Sequence, residues 1–165
     1  MSDEPAGRPW LVGAMVTLGV LASVGLGVWA TSRKLAHRHL PTGIDVVHVA
    51  VTARDWRWEV LTPGRDGVLG TGDDVARTNE LRVPVGRAVV VHLRTRDLVH
   101  GLFLQGYGVH QDVTSSREET FWFRATEAGT TTMVCSQMCG EGHFRMQGRV
   151  VAVDAAAWAQ GGDGR

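Results

Sequence analysis

A chain of 165 residues suits one domain of ordinary size with an appendage. Seventeen basic side chains balance seventeen acidic ones, so no excess of positive charge marks nucleic acid as a partner. No internal repeat or low-complexity tract is present, and six tryptophans stand against one tyrosine.

Residues 1–9 are polar and carry Asp3, Glu4, Pro5 and Pro9, which predicts a short tail. From Trp10 to Ala30 no residue is charged over 21 positions, enough for a helix to cross a hydrocarbon core. A transmembrane helix is predicted over 10–30, with Trp10 and Trp29 at its ends as interfacial aromatics. Gly19, Ser23 and Gly27 make a small-residue stripe that would let a partner helix approach, although ordinary transmembrane composition gives the same pattern. Val28-Trp29-Ala30 resembles a signal-peptide cleavage site, but the apolar run is too long and lacks a basic cluster before it, so a retained anchor is expected. Arg33, Lys34 and Arg38 follow the helix and only Arg8 precedes it, which by the positive-inside rule favours a cytoplasmic domain. Residues 31–44 read as a linker, with His37 and His39 beside the membrane.

From Asp45 onward, strand-like alternation recurs at 45–51, 54–61, 87–94, 98–105, 119–125, 130–134 and 147–153. Pro63-Gly64, Pro84-Val85-Gly86, Gly106-Tyr107-Gly108 and Ala128-Gly129 punctuate these runs. Many short strands with almost no helical periodicity argue for an all-β sandwich or barrel over 45–154. Ala155 to Gln160 can add a short helix to a terminal tail, 155–165. In the long connection after Leu61, Asp66, Asp73 and Asp74 are interleaved with glycines. They are candidate calcium ligands, and equally the ordinary residues of a solvated turn. His48, His92 and His110 lie in strand-like runs and are assigned no metal.

The chemistry concentrates at Cys135-Ser-Gln-Met-Cys139-Gly-Glu-Gly-His143-Phe-Arg-Met146. Two thiols, an imidazole and a thioether within twelve residues form the soft and borderline donor set that selects copper over magnesium or calcium. His100, in an apolar run upstream, supplies a second imidazole that would be costly to bury without a partner. A disulfide between Cys135 and Cys139 is one alternative, and a Cys2His2 zinc site with His100 and His143 is another. Neither uses Met146. A mononuclear blue-copper site wants a single cysteine, whereas a second cysteine four residues on suggests two thiolates shared by two metal ions.

The loop, together with Asp97-x-x-His100, resembles the binuclear copper A domain of cytochrome c oxidase subunit II. Trp56-Arg57-Trp58 is similar to that family's Trp-x-Trp, and Met146-Gln147-Gly148-Arg149-Val150 to its closing strand; the resemblance spans about residues 45–154. It implies a cupredoxin-like Greek-key sandwich with the N-terminal membrane helix. It implies Cys135 and Cys139 as bridging thiolates, His100 and His143 as terminal imidazoles, and Met146 as a weak thioether ligand. The Gln137 position would offer its backbone carbonyl, with Asp97 and Asp112 as candidates for orienting the imidazoles. Trp56 matches the surface tryptophan through which electrons enter, while Trp58 reads as packing.

The same resemblance implies an electron-transfer subunit of a membrane haem-copper oxygen reductase. Its own chain makes no bonds; it takes electrons from cytochrome c or a small copper protein and passes them to haem in subunit I. The resemblance also places the copper domain on the periplasmic or outer face of a bacterial-type inner membrane, against the basic-residue count. Gln137 stands where many relatives carry a glutamate that helps hold magnesium, which puts the magnesium site in question. The copper A subunit of a nitric oxide reductase is a close alternative reading. A non-redox anchored domain holding zinc or a disulfide is the alternative from a different class. Residues 40–165 hold 13 Arg and no Lys against 15 Asp and Glu, so 13 − 15 = −2, a weak bias towards a basic donor.

Overall fold

The computed structural model describes residues 9–36, 40–43, 45–54 and 56–159. Of the tail expected at 1–9, residues 1–8 lie outside them and Pro9 is helical; His37, His39 and the last six residues also lie outside. The chain divides into two units, residues 1–39 and 40–165, each described by itself.

The first unit is α1, Pro9–Ala36. Proline at the first helical position has its φ pre-set and no N–H to leave unpaired. The span Trp10–Ser32, with mean hydropathy 2.1, is long and apolar enough to cross a membrane. Hydroxyls that would be stranded in such a helix turn back on it. Thr17, Ser23 and Thr31 donate to the carbonyls of Gly13, Gly19 and Gly27 at 2.9, 2.8 and 2.8 Å. The helix continues through 31–36, which the sequence assigned to the linker. Arg33, Lys34, Leu35 and Ala36 are good helix formers, and no glycine or proline interrupts them.

The second unit contains ten strands: β1 Val46–Arg54, β2 Arg57–Thr62, β3 Val75–Thr78, β4 Glu80–Pro84 and β5 Ala88–Thr95. Next come β6 His100–Leu104, β7 Val109–Val113, β8 Glu119–Arg124, β9 Gly129–Cys135 and β10 Gln147–Val153, then a short helix α2, Ala155–Ala159. They form two five-stranded sheets, β3-β2-β1-β5-β8 and β4-β10-β9-β6-β7. Each sheet has one parallel pair, β1 with β5 and β10 with β4, among otherwise antiparallel neighbours.

Alternation along β1 buries Val47, Val49, Val51 and Ala53 and leaves the intervening side chains outside. These residues join Trp58, Val89, Val91 and Leu93 from the same sheet and Leu81, Leu102, Leu104, Met133 and Val150 from the other in one core. Each fully buried aliphatic side chain contributes about 1.5–3 kcal/mol. The sequence expected one strand from Arg54 to Leu61, but the chain turns there, with Trp56 at φ 65. Just after β3 and beside the start of β2, Asn79, φ 58, accepts the Trp58 N–H at 2.8 Å through its side-chain oxygen.

Candidate metal centre

β9 ends at Cys135 and β10 begins just after Met146, and the Cys135 N–H donates to the Met146 carbonyl at 3.0 Å. That bond closes the ligand loop as a hairpin, so all four of its soft donors are held at one end of a sheet. A 3-10 turn over His143–Arg145 tightens the loop and directs His143 back towards Cys139. His100 is supplied by the neighbouring strand, β6, at its first residue. The Ser136 N–H donates to the Gly101 carbonyl at 2.8 Å. A Cβ on Gly101 would lie 2.4 Å from Ser136 Oγ and 2.8 Å from Asp112 Oδ1. Only glycine lets β6 approach the loop this closely, and that approach carries His100 to the thiols.

The Sγ atoms of Cys135 and Cys139 lie 3.7 Å apart. This is far longer than a disulfide bond of ~2.05 Å, and both cysteines are free. Each sulfur has an imidazole beside it. His100 Nδ1 is 3.8 Å from Cys135 Sγ and His143 Nδ1 is 3.5 Å from Cys139 Sγ. Met146 Sδ lies 3.8 Å from Cys139 Sγ, and the Gln137 carbonyl oxygen 3.2 Å from Cys135 Sγ. Every residue expected as a copper ligand is therefore brought to one place. Among the described residues, His100, Cys135 and Cys139 are the group of three whose donor atoms converge within 4.8 Å. Met146, His100 and Cys139 are fully buried and Cys135 nearly so, which gives soft donors a dry setting. Two sulfurs this close can both bond the same ion at ~2.3 Å.

Burial alone would push both thiols up. For Cys135 the hydrogen bonds from His100, the Gly101 and Gln137 backbone and Cys139 outweigh it and bring the pKa down to about 6. Cys139 has burial and the neighbouring Cys135 acting together and is pushed up to about 12. Burial also disfavours a charged His100, but its contacts with Cys135 and Asp97 outweigh that and raise its pKa. The thiolate form of Cys135 is thereby favoured, and the thiolate is the form of the side chain that ligates a metal ion.

The surroundings of the ligands separate the expected roles. Asp97 Oδ1 lies 2.8 Å from His100 Nε2 and so fixes the tautomer that leaves Nδ1 facing the sulfur. Asp112 orients no imidazole of the centre. It accepts from the Gln137 side-chain amide at 2.8 Å and sits 3.1 Å from His110, whose Nε2 is 2.7 Å from Ser136 Oγ. This polar bracket under the loop escaped sequence reasoning, because His110 and Ser136 carry no recognisable spacing.

Trp58 is fully buried, edge-on to the His100 ring with centroids 6.2 Å apart, as its packing role requires. Trp56 does something else: its indole N–H donates to the Cys139 carbonyl at 2.9 Å while the side chain stays 38 % exposed. Its ring lies against Gly142, where a Cβ would stand 2.2 Å from the indole. Leu98, Val99, Met138 and Phe144 are also exposed around this end, at 56, 44, 77 and 70 %.

Asp66, Asp73 and Asp74 are not gathered in the same way. Asp73 accepts from the backbone N–H groups of Arg65 and Asp66 at 2.7 and 3.2 Å and from the Thr71 hydroxyl at 2.6 Å. Asp66 accepts from the Val68 N–H and Asp74 from the Gly70 N–H, at 2.8 and 2.6 Å. These carboxylates hold the turn together, and the three form no convergent group among the described residues.

With the geometry in place, comparison with known proteins gives a consistent result. Residues 60–153 match the family model described as cytochrome c oxidase subunit II, periplasmic domain. The chain is 34% identical over 187 residues to cytochrome c oxidase subunit 2 of Cereibacter sphaeroides, covering 95% of this chain and 59% of that protein. It is 28% identical over 177 residues to the alternative cytochrome c oxidase subunit 2 of Bradyrhizobium diazoefficiens, covering 92% and 61%. The chain thus spans about three fifths of the length of these relatives. Its fold is similar to the crystal structure of the periplasmic domain of subunit II of cytochrome oxidase of Bradyrhizobium japonicum. There the TM-score is 0.61 at 23% identity, over 74% of this chain and 95% of that one. The chain belongs to the cytochrome c oxidase subunit II family.

Proposed function

We propose that this chain is the electron-accepting subunit of a membrane haem-copper oxygen reductase, holding a binuclear copper A centre. Cys135 and Cys139 would bridge the two ions, with His100, His143, Met146 and the Gln137 carbonyl completing them. The observation that carries the reading is the convergence of two free thiols 3.7 Å apart with an imidazole beside each. Bound copper would supply one-electron redox chemistry. The chain's own contribution is to hold the donors still. The closed hairpin, the Gly101 approach and the Asp97–His100 contact fix them on a β frame, so little moves when charge changes.

Trp56 would receive electrons from the donor. It is half-exposed on one side and one hydrogen bond from a ligand residue on the other. The exposed Leu98, Val99, Met138 and Phe144 around it suit an apolar contact with cytochrome c or a small copper protein. α1 would anchor the chain as a single pass with the copper domain on the periplasmic face, and haem in subunit I would take the electron onward. The Gln137 amide is committed to Asp112, so we assign no magnesium to that side chain.

The test is to reconstitute the full chain with copper, count metal per chain and record its electron paramagnetic resonance spectrum. Two coppers sharing one unpaired electron are expected. A single localised copper, or zinc alone, would overturn the reading. Met146→Leu should move the reduction potential while leaving two coppers bound, an effect a zinc or disulfide domain would not show.

A further inference from the structure

A pair of histidines lies together on the outward face of the β3-β2-β1-β5-β8 sheet. His48 sits six residues before the end of β1, roughly 20 Å along the strand from the turn that carries Trp56. It is on the strand beside His92; in the parallel register His48 faces Val90 and Ala50 faces His92. The two imidazoles meet with His48 Nδ1 3.0 Å from His92 Nε2. The rings are nearly coplanar, 22° apart with centroids 5.3 Å apart, so the nitrogens approach edge to edge.

The remote nitrogen of His92, Nδ1, lies 2.9 Å from Glu118 Oε1, and Arg94 holds the other carboxylate oxygen. Although partial burial disfavours its charge, the His92 and Arg94 contacts keep the Glu118 carboxyl below the usual carboxylate range. It is therefore an anion at neutral pH, and His92 Nδ1–H must donate to it. In the neutral ring this leaves the lone pair on Nε2, facing His48. Burial and the neighbouring His92 hold His48 below the ordinary imidazole value, which favours its neutral, metal-ligating form. A cavity of about 380 Å³ opens beside them, lined by His48, His92 and Gly67, Val68 and Leu69 of the β2–β3 connection.

We propose that His48 and His92 form a binding site for a divalent late transition ion, copper(II) or nickel(II) ahead of zinc, with Glu118 as the outer partner that orients His92. The carboxylate–imidazole arrangement is the one that metal-ligating histidines almost always show. At metal–nitrogen bonds of ~2.0–2.1 Å, nitrogens this far apart subtend about 90–95° at the ion. That is the cis angle of the tetragonal nitrogen sites copper(II) and nickel(II) prefer. A tetrahedral zinc ion would need them opened to ~3.3–3.4 Å. Starting from the neutral pair, the His48 proton moves from Nδ1 to Nε2 through solvent on binding, and the exposed ring tilts so that both lone pairs converge while the nitrogens keep their 3.0 Å separation. Two nitrogen–metal bonds form, two metal-bound waters leave, and no net proton is released. Water fills the remaining positions on the cavity side.

The experiment uses the full chain in detergent with its copper centre filled and excess metal dialysed away, in a background carrying His37→Ala and His39→Ala. Nickel chloride is titrated by equilibrium dialysis with metal counting. One nickel per chain at micromolar affinity is expected, with the copper spectrum unchanged. His48→Gln and His92→Gln should each weaken it at least tenfold, and Glu118→Gln by about tenfold. Absence of nickel binding up to about 1 mM, or binding in either histidine variant as tight as in the parent chain, overturns the proposal. A second readout needs no variant: paramagnetic nickel should broaden the ring-proton resonances of His48 and His92, and broadening at other histidines refutes the site. Failure of the copper reading would show separately, as nickel–thiolate charge-transfer absorption from Cys135 and Cys139.

Discussion

Gly142→Ala tests whether Trp56 is wedged against the ligand loop. Gly142 has φ −89 and ψ 4, a conformation other residues adopt, so the change brings little backbone strain. The cost is steric. The new Cβ would stand 2.2 Å from Cδ2, 2.3 Å from Cγ and 2.6 Å from Cε3 of Trp56. Ordinary carbon contacts need ~3.5–4.0 Å, so the indole must retreat by more than an ångström. Its hydrogen bond to the Cys139 carbonyl, now 2.9 Å, cannot survive that movement. The lost bond costs about 0.5–1.5 kcal/mol, and crowding about 1–3 kcal/mol more.

If the ring instead swings out, the loss of about 100 Å² of buried apolar surface costs about 2.5 kcal/mol. Either route destabilises the domain by about 2–4 kcal/mol, a fall of about 10 °C in Tm. Calorimetry on the copper-loaded chain reads the stability. Stopped-flow reduction by reduced cytochrome c reads the electron path, which should slow at least tenfold with two coppers still bound. Trp56→Phe keeps an aromatic ring but removes the N–H together with part of the indole, so its loss should be about 1–2 kcal/mol. An unchanged melting curve and an unchanged reduction rate for Gly142→Ala would refute the wedge.

Asp97→Asn removes the carboxylate that orients His100 and should lower copper affinity about 10–100-fold, measured by competition with a chelator, while the sandwich stays folded. In the metal-free chain the pKa of Cys135 is lowered, so its thiolate exists above the shifted value and disappears below it. Far-ultraviolet thiolate absorbance should rise by one thiolate through pH about 6, because Cys139 is held up at about 12; Cys135→Ser should abolish that step. Asn79→Ala loses the acceptor for the Trp58 N–H and places a Cβ residue at φ 58 without Asn's local compensation. Urea titration should show a loss of about 2–3 kcal/mol, of which Asn79→Gly recovers about 1 kcal/mol.

The centre was more legible in the sequence than the sheet that carries it. Cys135, Cys139, His143 and Met146 lie within one hairpin, so their spacing already encodes most of their geometry. His100 was readable because an imidazole in an apolar run needs a partner. The Val-rich strands β1, β5 and β10 announced themselves by alternation. β3 and β7 did not: Val75–Thr78 and Val109–Val113 are largely polar, with little of either buried, so tertiary pairing rather than pattern makes them strands. β4 was hidden by Pro84, which reads as turn punctuation but sits at the strand's end. The turn at Trp56 left no trace, since a bulky aromatic at positive φ is no turn signal; its hydrogen bond to Cys139 exists only once the two hairpins meet. The pairing of His48 with His92 was invisible for the same reason. The two residues are 44 positions apart, and the register that joins them is a property of the parallel ladder.

The position of β10 has a consequence for how the protein is made. This strand is the last of the ten in chain order, yet it lies inside its sheet, between β4 and β9. Until residues 147–153 have left the ribosome, the second sheet has a gap in its interior and Leu81 and Met133 have no lasting cover. Glu80 pairs with Arg149, so β4 must wait about 70 residues for its parallel neighbour, a long-range closure of the slow kind. Folding of the domain is therefore completed only after synthesis of this region is complete, and the ligand loop, closed by the same strand, takes shape at that final step. Insertion of the proposed copper would follow the arrival of β10, and a chain truncated before Gln147 would expose its two thiols without a site to hold them.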